Sequence, residues 1–107
     1  GRRRVNRYVF SKKKWDGKWR MVVFDIPEKR RRARVVLRER LLELGFRQFQ
    51  ESVWIGPFDV LEEVRDLRDE YRIQDYVKLL TVGAIEDHER LMKRFGLPAK
   101  TPQKKTF

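Results

Sequence analysis

The sequence predicts an α+β domain: a four-stranded antiparallel sheet with two helices on one face and a short further helix at its C-terminal end. Three observations carry this reading. Trp19 to Ile26 is a β-branched and aromatic run that stops at Pro27. Ala33, Leu37, Leu41 and Leu44 recur on one helical face, as do Val60, Val64, Leu67 and Tyr71. Further strand-like runs follow each helix, giving the order β-α-β-β-α-β. Its 107 residues suit one domain with a core that needs no staples. The expected division is a basic arm over 1–18, the folded domain over 19–85, a terminal helix over 86–96 and a basic tail over 97–107.

The arm has no sustained periodicity and ends in a turn at Asp16-Gly17. After the first strand, Pro27 and Glu28 suit a helix N-terminus, and Gly45 supplies the stop. Phe46 to Gln50 and Ser52 to Gly56 read as two short strands joined around Glu51, the second ended by Pro57. Asp59 is positioned to cap the second helix. Tyr76 to Ala84 is the fourth strand. Glu86 to Phe95, with Leu91, Met92 and Phe95 as its apolar residues, is a short helix closed by Gly96.

This order is the split βαβ pattern of the ferredoxin-like fold, and right-handed crossovers place both helices on the same sheet face. The other face also needs cover. In the first strand Met21 and Val23 alternate with Val22, Phe24 and Ile26; in the fourth Val77 and Leu79 alternate with Leu80 and Val82. Strands with one wet face show cleaner alternation. The terminal helix can cover part of the second face, and a second copy of the chain, forming a homodimer, is the simpler cover.

Charge points to a partner. The chain carries 27 basic and 16 acidic residues, a net charge of +11, unevenly placed. Residues 1–20 hold nine basic and one acidic side chain, 28–47 eight and three, and 93–107 five and none, while 48–92 hold five and eleven. Segregated positive charge favours a polyanion, here double-stranded DNA, over simple solubilisation. The candidate contacts are Arg2, Arg3, Arg4, Lys12, Lys13 and Lys14 in the arm, with Arg30, Arg31, Arg34 and Arg38 on the outer side of the first helix. No apolar run approaches the ~18 residues of a membrane span, and no helix pairs the charge with an exposed apolar face, so a membrane partner is not expected. The absence of cysteine fits a cytoplasmic protein and excludes thiolate metal sites.

The catalytic inventory is short. His88 has no histidine partner and reads as a surface residue; Glu62, Glu63, Asp66, Asp69 and Glu70 read as a solvated helix face. No nucleophile triad or phosphate loop can be assembled. Asp25 stands apart, at the carboxyl end of the first strand. It either caps the following helix and pairs with a nearby arginine, or, across a dimer, two copies hold a Mg²⁺ for phosphodiester cleavage. The capping role is the expected one.

Several motifs carry a family resemblance: Trp15-Asp-Gly-Lys-Trp19, Val23-Phe-Asp-Ile-Pro-Glu28, Leu44-Gly-Phe46 and Ser52-Val-Trp-Ile-Gly-Pro57. Over residues 15–85 they resemble the central domain of PaaX-type transcriptional repressors, itself similar to the small CRISPR-associated endonuclease of the spacer-acquisition complex. The resemblance implies a ferredoxin-like fold, dimerisation through the sheet and an aspartate at the end of the first strand, matched by Asp25. The endonuclease family's first-helix arginine is matched by Arg34 or Arg31. Its third-strand pattern is matched by Gln50, Ser52, Val53 and Trp54. Two functions are therefore expected to compete. The leading one is a DNA-associated homodimerisation domain of a PaaX-like regulator. The alternative is a metal-dependent endonuclease, or the structural subunit of a spacer-acquisition complex, with an integrase subunit as partner.

Overall fold

The computed structural model describes residues 15–97. Strand β1 (Trp19–Phe24) runs through a short 3-10 turn (Glu28–Arg30) into helix α1 (Arg31–Glu43). Strands β2 (Arg47–Gln50) and β3 (Val53–Gly56) form a hairpin, followed by helix α2 (Leu61–Glu70). A second 3-10 turn (Gln74–Tyr76) leads into strand β4 (Val77–Val82), and helix α3 (His88–Arg94) closes the order. The sheet order is β2-β3-β1-β4 with every pairing antiparallel. This is the arrangement the β-α-β-β-α-β pattern predicts, with β1 central and hydrogen-bonded on both sides.

The helical periodicity does what it promises. Ala33, Leu37 and Leu41 of α1, with Leu61, Val64 and Leu67 of α2, pack on Val22, Phe24, Trp54 and Val77 of the sheet. Gly45 ends α1 at φ 96°, where its N–H reaches Leu42 O (3.1 Å) and that of Phe46 reaches Leu41 O (2.9 Å). These two bonds satisfy the last carbonyls of the helix, and the positive φ explains the glycine. At the same place after α2 stands Arg72, a non-glycine at φ 54°.

Several local expectations are corrected. Val60, not Asp59, occupies the N-cap of α2, and no side chain caps it; the Asp59 carboxylate lies 3.9 Å from the Arg20 guanidinium. β1 ends at Phe24 and β4 at Val82, each two residues earlier than the apolar runs suggest.

The second sheet face is closed by α3 over one half. Trp19, Ile55, Leu91 and Met92 form a separate buried cluster, edged by Trp15, Met21, Phe49, Val82, Ile85, Phe95 and Leu97. Among the described residues nothing closes the other half: Val23 and Val53 are half-buried, Lys78 is exposed, and Leu80 retains 41% of its surface. No helix among the described residues is long and apolar enough to cross a membrane.

Candidate functional site

The end of β1 is positioned by its neighbours. Antiparallel pairing with β4 sets Phe24 opposite Val77, and the N–H of Asp25 then donates to Tyr76 O at 3.0 Å. On the other side the N–H of Phe24 donates to Ser52 O at 3.0 Å, beyond the last β3 pair. The three segments open a recess of about 370 Å³ in which Asp25, Ser52, Asp75, Tyr76 and Lys78 meet, with Val23 and Phe24 behind them.

Asp25 is exposed and does not cap the helix. Neither the 3-10 turn nor α1 has a side-chain cap; Pro27 and Arg30 occupy the cap positions. Among the described residues, no arginine pairs with Asp25. Arg34, one of the nearby arginines, instead meets Glu28 at 3.1 Å and reaches Ile26 O at 3.4 Å. The expected capping role is therefore replaced by a solvent-facing carboxylate.

Asp75, for which no sequence pattern offered a signal, lies in the same recess. Its placement follows from topology: residues just before β4 must face those just after β1. Hard divalent cations take about six oxygen ligands. Asp25, Asp75 and Ser52 are oxygen donors, but among the described residues no three acidic, histidine or cysteine side chains converge to hold a metal.

The first-helix arginines divide. Arg31 and Arg38 are exposed. Arg30 is half-buried and donates to Tyr71 O and, at 3.4 Å, to Arg72 O, so its cation sits at the C-terminal end of α2, where the helix dipole favours it. Arg2, Arg3, Arg4, Lys12, Lys13 and Lys14 lie outside the described residues.

Two arrangements escaped the sequence. Arg20, with 4% of its surface exposed, grips Asp16 through two bonds (2.8 and 2.7 Å) and also donates to Lys18 O and Pro57 O. The guanidinium bonds hold the Asp16 carboxyl down at about 2, against the opposing effect of burial, and Asp16 in turn raises the Arg20 guanidinium. An arginine flanked by Trp19 and Met21 was the available signal, since it points into the domain at a position where β alternation puts apolar residues.

His88, read as a surface residue, is half-buried instead. Its Nδ1 accepts the Trp19 indole N–H at 3.1 Å, so the ring proton sits on Nε2, a buried atom with no partner among the described residues. Trp15 stacks on the imidazole at 5.6 Å. A separation of 69 residues hid this pair from any local pattern.

A profile of the PaaX protein central Cas2-like domain matches residues 12–92, from before the Asp16–Arg20 pair to the middle of α3. No curated protein and no solved structure matches the chain. With the expected strand and helix order and a match over most of its length, the chain belongs to the PaaX central Cas2-like domain family.

Proposed function

We propose that this chain is the pairing domain of a PaaX-like transcriptional regulator, which associates with duplex DNA and joins a second copy of itself through the open half of its second sheet face. The observation that carries this reading is the half-closed sheet. α3 seals Trp19 and Ile55, while Met21, Val23, Val53 and Leu80 continue the apolar surface past its edge. A symmetric copy turned about an axis in the sheet plane would meet this strip with its own. Asp25, beyond Val23 at the end of the same strand, would then stand at the rim of the interface.

Charge supports the DNA association. Ten of the 27 basic residues and none of the 16 acidic ones lie in 1–14 and 98–107, outside the described fold. Such segments bind phosphate with little sequence preference and strong salt dependence.

The test of pairing is the mass in solution. Light scattering of the full chain at micromolar concentration is expected to give twice the chain mass. Leu80→Asp is expected to return it to one chain mass with an unchanged far-ultraviolet circular dichroism spectrum. A single-chain mass for the unaltered protein across the range refutes pairing.

One observation favours the enzymatic alternative: Asp25 and Asp75 share a recess with Ser52 and Lys78. Cleavage of a phosphodiester by the purified chain with Mg²⁺ or Mn²⁺, lost in Asp25→Asn, would establish it.

A further inference from the structure

We infer that a phosphate backbone runs along the outer face of α3, on the side of the sheet opposite α1 and α2. This rests on the proposed DNA association and moves its centre away from the arginines of α1.

The folded part of the chain is close to neutral. Residues 15–97 hold 17 basic and 16 acidic side chains, while the two flanks hold ten basic ones and no acid. A polyanion is therefore drawn to wherever the flanks join the fold. Both join it at α3. Trp15, the first described residue, stacks on His88, and Leu97, the last, hydrogen-bonds Met92 O at 2.9 Å. Both pack on the cluster that α3 forms over the sheet.

The outer face of α3 matches what arrives there. With Leu91 and Met92 buried, the helical turn sends Arg90 and Lys93 outward, with Arg94 on the flank. The three cations fall within about 6 Å of helix axis. Arg94 donates to Gln48 O at 3.0 Å, which ties the strip to β2, where Arg47 is also exposed. The acids of this region, Glu86, Asp87 and Glu89, sit at or before the first turn of α3. They repel a phosphate from that end and leave the C-terminal half, with Lys93 and Arg94 in its last turn, as the basic end.

α1 is the poorer track. Against the sequence expectation that no helix pairs its charge with an exposed apolar face, Arg31 and Arg38 alternate along one stripe with Val35 and Leu42, which keep 43% and 46% of their surface. α1 also packs against α2, whose exposed Glu62, Glu63, Asp66, Asp69 and Glu70 oppose its field. Packed helices lie about 8–10 Å apart, close to one screening length in physiological salt.

The experiment compares two double variants of the full chain by fluorescence anisotropy, using a labelled mixed-sequence duplex of about 30 base pairs over a range of salt. Arg90→Ala with Lys93→Ala is expected to weaken binding roughly tenfold and flatten the salt slope by about two, one for each phosphate no longer neutralised. Arg31→Ala with Arg38→Ala is expected to change affinity less than about twofold. All four side chains are exposed, and matching circular dichroism and melting curves exclude unfolding as the cause. A larger effect from the α1 pair, or none from the α3 pair, overturns this inference and leaves DNA association standing. No binding by the unaltered chain overturns both.

Discussion

The two faces of this sheet are closed by different means. On the α1–α2 face, fifteen buried side chains form one continuous cluster, set by two helices whose apolar residues repeat at three and four. On the other face four of the described residues form the buried cluster, three of the seven residues at its rim are aromatic, and the closing element is a seven-residue helix. That helix adds one half-buried polar bond, Trp19 to His88, to its packing. The first face is specified by periodicity and resists change throughout. The second is sealed at one end and open at the other, and it is the face to which both charged flanks are joined.

The largest expected effect separates the two faces. Leu37→Ala, at a position with no exposed surface, should lower the unfolding free energy by about 3 kcal/mol. Met92→Ala should cost about 2 kcal/mol, and hydrogen exchange should place much of that loss in α3 while α1 amides keep their protection. Equal loosening of both helices in Met92→Ala would show that the two clusters form one cooperative unit.

A smaller effect concerns acid. The Asp16 carboxyl is held at about 2 by Arg20, below its ordinary 3.8, so the folded chain binds this proton less readily than the unfolded one. The stabilisation is present above pH 4 and disappears as pH falls towards 2. Denaturation midpoints of the unaltered chain and Asp16→Asn should therefore differ at neutral pH and converge in strong acid. A gap that persists at pH 2 would mean that the aspartate acts through its shape and not its charge.

The smallest effect is expected at the rim between the faces. Asp25 is exposed and unpaired among the described residues, so Asp25→Asn should change stability by less than about 0.5 kcal/mol, as for most surface substitutions. A loss above about 1 kcal/mol would reveal a partner that holds the carboxylate in the fold.

What the sequence made legible follows the same division. Ala33, Leu37, Leu41 and Leu44 with Gly45 define α1 by local spacing, and the alternation of Val22 and Phe24 with Met21 and Val23 shows that β1 is apolar on both sides. Asp25 was visible as a carboxylate at a strand end. Its neighbour Asp75 was not, because only the pairing of β1 with β4 brings them to one recess. Arg30 looked like outward charge, since nothing local says that the C-terminal end of α2 will sit beside it. The engagement of His88 by Trp19 likewise exists only once α3 has crossed the sheet.

The grip of Arg20 on Asp16 has a mechanical consequence. A chain that enters a domain through a loose joint can swivel, and a pull on it dies out in the joint. Here the entry is anchored at several points: Trp15 donates its indole N–H to Lys18 O at 2.8 Å, and Asp16 is clasped twice by a side chain rooted in β1 and also bonded to Pro57 O. A tug on residues 1–14 is therefore delivered to the central strand and, through Pro57, to the start of the second crossover. The domain receives force as a lever receives it at a fixed fulcrum, at the Trp15–Arg20 entry that the fold holds in place.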